Sequence, residues 1–151
     1  MEIIDITDNK ELLEETYLLS MKEWGRIRSE EEYLKDALVK AQEVINKQND
    51  KIIFVLGLLD NNILIGFISL FNYDGEERKD LTPWYATMYV KKEYRGLGYS
   101  KILNDALKRK AKDLGYKKLY LKSDLKNYYE KFGAIKFDKL SNGEDLFYMD
   151  L

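Results

Sequence analysis

The order of apolar patterns along the chain predicts an α/β protein, a mixed sheet covered by helices. Three observations carry this expectation. Residues 9–45 hold two stretches with helical spacing, and three strand-like apolar runs follow between Ile52 and Val90. A glycine-containing turn then opens a third amphipathic helix, after which only short segments remain. At 151 residues the sequence fits one domain spanning 1–151.

Ile3 to Thr7 suits an opening strand. Leu12, Leu13, Thr16, Tyr17, Ser20 and Trp24 recur at helical intervals, and Gly25 offers a stop. Ser29 followed by Glu32 has the form of a capping box, so a second helix begins there. Its apolar face would carry Tyr33, Leu34, Ala37, Leu38, Ala41, Val44 and Ile45. Ile52–Leu59 and Ile63–Phe71 form a hairpin around Asp60-Asn61-Asn62, and the polar stretch 72–82 reads as a loop. Trp84–Val90 is the fourth strand. The helix from Ser100 places Ile102, Leu103, Ala106, Leu107, Ala111 and Leu114 on one face, and Gly115 stops it. Leu119–Ser123 is a strand, 126–132 a short helix, and Asn142-Gly143 turns between two closing strands.

Composition excludes several chemistries. The chain has no cysteine and no histidine, which removes disulfides, thiolate and histidine metal sites, a cysteine nucleophile and any histidine-based triad. Catalysis must use Tyr, Asp, Glu, Lys, backbone amides or water. The 25 basic and 27 acidic side chains nearly cancel, so no global field points to nucleic acid or an anionic membrane. The N-terminus lacks the basic-then-apolar pattern of a signal peptide, and Ile52–Leu59 falls far short of the ~20 residues of a membrane helix. A cytoplasmic protein is the expectation.

Arg95-Gly96-Leu97-Gly98-Tyr99-Ser100, between a strand and a helix, is the sharpest local feature. Glycine lets backbone approach a ligand closely, and the first amides of a helix lack intrahelical partners. With the helix dipole these favour a phosphate or diphosphate, and Lys91, Lys92, Arg95 and Lys101 add positive charge. An isolated G-x-G equally serves a plain strand-to-helix turn. A dinucleotide fingerprint would need glycine at Lys101, and a P-loop would need Gly-Lys-Ser/Thr; neither is present.

Pro83 to Val90, continued through Arg95–Ser100, resembles motif A of the GNAT N-acetyltransferase superfamily, R/Q-x-x-G-x-G/A after the fourth strand. It matches at Arg95 and Gly98 and departs at Ser100, a small residue in the last position. Tyr128-Tyr129-Glu130-Lys131-Phe132-Gly133 is similar to the F/L-Y-E-K-x-G-F element of the same superfamily, in the expected order. Asp80-Leu81-Thr82-Pro83-Trp84 resembles a subgroup of small bacterial members.

The resemblance implies a mostly antiparallel mixed sheet with splayed fourth and fifth strands and acetyl-CoA lying between them. Met88, Tyr89 and Val90 would contact the pantetheine arm, and the amides of Arg95, Gly96, Leu97, Gly98, Tyr99 and Ser100 the diphosphate, with Lys101 beside them. Tyr129 aligns with the tyrosine that protonates the departing thiolate, and a phenol near pKa 10 suits a thiolate of about 8.5–10. No metal is implied. Direct attack by an amine needs no covalent enzyme intermediate, which suits a chain without His or Cys. A lysine-like amine is mostly protonated at pH 7, and unmasking it costs roughly 4–5 kcal/mol. The fourth strand carries no carboxylate, so Asp124, Glu23 or a water chain are the candidate bases. The acceptor, a small-molecule or peptide amine, would meet Trp24, Tyr33, Asp74 and Trp84, an aromatic and acidic surface that suits a cation. The alternative is a non-catalytic acyl-CoA-binding or interaction domain. A monomer and a homodimer both fit.

Overall fold

Strands that are apolar at every position need cover on both faces. The two longest such runs are adjacent and sandwiched between helices. The computed structural model describes residues 1–151. In chain order it contains β1 (Glu2–Asp5), α1 (Lys10–Trp24), α2 (Glu30–Ile45), β2 (Ile52–Asp60), β3 (Ile63–Phe71), β4 (Trp84–Val90), α3 (Tyr99–Asp113), β5 (Lys118–Ser123), β6 (Ile135–Lys139) and β7 (Asp145–Asp150). Short 3-10 turns occupy Lys92–Tyr94 and Tyr129–Phe132. The sheet order is β1-β2-β3-β4-β5-β7-β6. Every neighbouring pair is antiparallel except β4 and β5.

Alternate residues of β2 serve different cores. Phe54, Leu56 and Leu58 pack with Leu103, Leu107 and Ala111 of α3, whereas Val55 joins Ile6, Leu13, Ala41 and Val44 beneath α1 and α2. Leu119, Leu121, Phe147 and Met149 extend the α3 core into the second half of the sheet. No helix is long and apolar enough to cross a membrane.

The helix ends follow from their caps. Asn9 accepts from the Leu12 amide, and Ser29 from that of Glu32. The Gly25 N–H bonds Met21 O. At the end of α3, the Tyr116 N–H bonds Ala111 O and the Gly115 N–H bonds Lys112 O, closing a Schellman motif.

Several expectations need correction. The first strand ends at Asp5, because the Thr7 hydroxyl turns back to accept from the Val55 amide. On α2 only Tyr33, Ala37, Ala41 and Val44 are buried, while Leu34 and Leu38 are exposed. Ile102 and Leu114 are likewise exposed on α3. In both helices the buried stripe follows i, i+4, i+8 and is narrower than the apolar pattern. The helix expected at 126–132 shrinks to the 3-10 turn, since Asn127 takes a left-handed φ of 57° just before it.

β4 and β5 share a single registered pair, Trp84↔Tyr120. The Tyr120 N–H also donates to Pro83 O. Beyond that point the strands splay, as expected. On its other side β4 stays paired with β3, except for a bulge between Ala86 and Tyr89 where Thr87 adopts φ 50°.

Next to the start of β7's pairing with β5, Asp145 is only 3% exposed and surrounded by Lys126, Lys136 and Lys139 at 2.8, 3.1 and 3.8 Å. Lys126 and then Lys136 hold its carboxyl down to about 2, below the ordinary ~3.9. The unfolded chain therefore takes up this proton first. The stabilisation is complete above about pH 4 and is lost as pH falls toward 2. Asp145→Asn should lower Tm at pH 7 and flatten the decline of Tm between pH 4 and 2. Circular-dichroism melts across that range test this; an unchanged slope would refute it.

Candidate active site

Where β4 and β5 part, two adjoining clefts open, of ≈ 680 and ≈ 560 Å³. Trp24, Met88, Leu125 and Tyr129 line both and mark their junction.

The first cleft runs along the free end of β4, past Met88, Tyr89 and Val90, to Arg95, Gly96, Gly98, Tyr99 and Ser100. Gly96 and Gly98 take φ of 78° and 87°, a region closed to most side chains. Gly98 is the N-cap of α3, and no side chain caps that end. The first-turn amides of a fifteen-residue helix thus lack a side-chain partner at the cleft wall.

Arg95 braces this loop. Its Nε donates to Val90 O at 2.7 Å, its Nη2 lies 3.6 Å from the Glu23 carboxylate, and its guanidinium sits 5.4 Å from the Tyr89 ring. Trp24 meets the same ring edge-on at 6.0 Å. The C-terminal end of α1 is thereby tied to the loop. Two expected contributors turn elsewhere. The Leu97 side chain is 63% exposed and lines neither cleft, and Lys101 reaches along the helix to Asp105 at 2.7 Å.

Tyr129 stands at the junction, edge-on to Tyr128 at 4.8 Å and to Tyr85 at 5.7 Å. Burial, with a contribution from Tyr128, pushes its phenol up to about 12. The matched value near 10 expected from sequence does not hold, because the ring is packed among other tyrosines.

The second cleft carries Asp74, Asp124, Glu144 and Lys122, with Tyr85 and Trp24 as aromatic walls. Burial raises the Asp74 carboxyl against the opposing pull of Lys122 and Lys51. Lys122 donates to Asp74 O at 3.0 Å. Of the two candidate bases, Asp124 lies in this cleft, whereas Glu23 lies in the first and faces Arg95. Tyr33 and Trp84 are not brought here. The Tyr33 hydroxyl is spent on Arg26 O and the Arg28 amide, and Trp84 is fully buried with its indole N–H on Leu81 O.

Sequence reasoning assigned no role to several cleft residues, among them Lys122, Leu125, Lys131 and Glu144. Glu144 was findable only through register: Ser123 pairs with Asp145, so the next step sets Asp124 opposite Glu144. Lys131 lay inside the Tyr128–Gly133 element, unassigned.

A model of the acetyltransferase (GNAT) family matches residues 11–134. No curated protein matches the chain. Among solved structures, it resembles an aminoglycoside 6′-N-acetyltransferase complexed with coenzyme A, with a TM-score of 0.69 and 19% identity, covering 98% of this chain and 94% of that one. The paia N-acetyltransferase from Thermoplasma acidophilum, in complex with coenzyme A, gives 0.65 and 22% over the full length of both. The aminoglycoside 6′-N-acetyltransferase from Enterococcus faecium gives 0.70 and 16%, covering 99% and 97%. At such identities these likenesses speak for the fold. The family match, spanning most of the chain and both clefts' β4 wall, speaks for descent: the protein belongs to the acetyltransferase (GNAT) family.

Proposed function

We propose that residues 1–151 act as one domain that transfers an acetyl group from acetyl-CoA to a cationic primary amine, with the thioester in the first cleft and the amine in the second. The observation that carries this reading is Tyr129 at the junction of the two clefts, one walled by amides and the other by carboxylates. The first cleft suits the cosubstrate on its own chemistry. Uncapped helix amides and a glycine with no protein atom within 4 Å of a built Cβ leave room and polarity for a diphosphate. The backbone edge of β4 that β5 leaves unpaired suits an amide-bearing pantetheine arm.

The bound thioester supplies an activated acyl carbon and a sulfur leaving group. The protein's residues do the rest. In the second cleft three carboxylates face one lysine, an excess that favours a cation, and Trp24 and Tyr85 add ring faces. Asp124 accepts the ammonium proton there, directly or through water, since Glu23 is engaged by Arg95. Tyr129 donates to the sulfur as charge builds on it.

Saturating acetyl-CoA should raise Tm by several degrees, because ligand at 100 times Kd adds about 2.7 kcal/mol. Free-thiol release with a panel of amines then tests transfer, and a chain with no cysteine contributes no thiol background. No stabilisation at millimolar acetyl-CoA would overturn the reading. Stabilisation without thiol release across the panel would leave an acyl-CoA-binding domain instead.

A further inference from the structure

Two cations line the first cleft, Arg95 and Lys131, and they differ in state. Arg95 is committed to Val90 O and shared with Glu23. Of the lysines near the loop, Lys91 pairs with Glu15 at 2.9 Å and Lys101 with Asp105, while Lys92 forms no ion pair but lines neither cleft. Lys131 forms no ion pair. Its ammonium rests 4.1 Å from the Tyr128 ring centroid and 5.2 Å from that of Phe132. Those rings direct the side chain without cancelling its charge. Lys108 of α3 donates to Phe132 O at 3.3 Å, so the turn bearing Lys131 is fastened to the helix whose first amides face the cleft.

We propose that Lys131 grips the diphosphate of the acyl donor from the β5 side of the cleft, opposite the Arg95–Ser100 amides, and so selects nucleotide-bearing thioesters over short ones. This rests on the acetyl-CoA reading of the first cleft. Helix amides offer only about half a positive charge between them. A diphosphate carries two formal negative charges, and Lys131 is the cation there that no carboxylate has already claimed. Its position one residue before Phe132 and two after Tyr129 makes the same turn carry both the proton donor and the anchor.

The full chain, as wild type, Lys131→Gln and Lys131→Arg, would be assayed with acetyl-CoA, acetyl-dephospho-CoA and acetyl-pantetheine at a fixed amine concentration. Losing one charge-assisted contact should raise KM roughly tenfold for both nucleotide donors in Lys131→Gln, with kcat little changed. The KM for acetyl-pantetheine should move less than about twofold, and Lys131→Arg should recover most of the loss. An unchanged KM for acetyl-CoA in Lys131→Gln overturns the proposal. So does an effect that vanishes with acetyl-dephospho-CoA, which moves the contact to the 3′-phosphate, or an equal effect on acetyl-pantetheine, which makes the lysine structural. A wild-type protein that neither binds nor turns over acetyl-CoA removes the underlying reading of the cleft, a different result from any of these.

Discussion

Tyr129→Phe should lower kcat by roughly 10²-fold or more, the range expected when a positioned proton donor is lost, while the acetyl-CoA-induced rise in Tm stays within a degree or two of wild type. The phenol is held up to about 12 by burial and by Tyr128. A raised pKa favours the neutral form, so Tyr129 keeps its proton throughout any working range. Its own ionisation should therefore impose no fall in rate below about pH 11, and the rate should instead rise with pH as the amine is unmasked. Complete transfer from a group near 12 to a thiolate of about 8.5–10 is uphill by roughly 3–5 kcal/mol. In the proposed mechanism the hydroxyl would thus act chiefly as a hydrogen-bond donor to the sulfur, ahead of full protonation. Steady-state rates between pH 6 and 10.5, wild type beside variant, decide this. A variant within a few-fold of wild type would remove Tyr129 from the chemistry.

Gly98→Val should abolish the stabilisation by acetyl-CoA, with Kd rising by one to two orders of magnitude or beyond. A side chain at φ 87° is strained by about 1–2 kcal/mol. It meets no protein atom within 4 Å, so the added bulk projects into the space assigned to the diphosphate. Gly115 supplies the control. It has φ 99°, equally open surroundings, and a place at the far end of α3 outside both clefts. Gly115→Val should lose comparable stability and still show the full acetyl-CoA shift. If both variants respond alike to acetyl-CoA, the amide loop is not the binding element.

The spans of β3 and β4 were legible to the residue, because apolar runs bounded by Asp60-Asn61-Asn62 and by Pro83 leave little choice. The loop at Arg95–Ser100 was legible because its glycines must bend and the helix after it is amphipathic. Side-chain fate was less so. Trp84 and Trp24 are both tryptophans near expected ligand sites, yet one is sealed in the core and the other is 55% exposed at the cleft junction. That difference depends on which residues sit across the sheet: Phe71, Leu140 and Leu146 close over Trp84. The cleft's charge was hidden for the same reason. Asp124 and Glu144 come together only through the antiparallel register of β5 and β7, twenty residues apart in sequence.

Trp84 also stands at the one stitch joining the two parts of the sheet. β4 continues from it to Val90, a strand of seven residues, so its far end lies roughly 20 Å away. β3 pairs with β4 as far as Val90, so the two strands would turn as one arm, and one degree of rotation at Trp84 would displace Val90 by about 0.3 Å. Tyr85 to Met88, near the fulcrum, face the second cleft, and Met88 to Val90, near the tip, face the first. Repacking around this fully buried residue would thus widen or narrow both mouths together, and the first cleft's more than the second's.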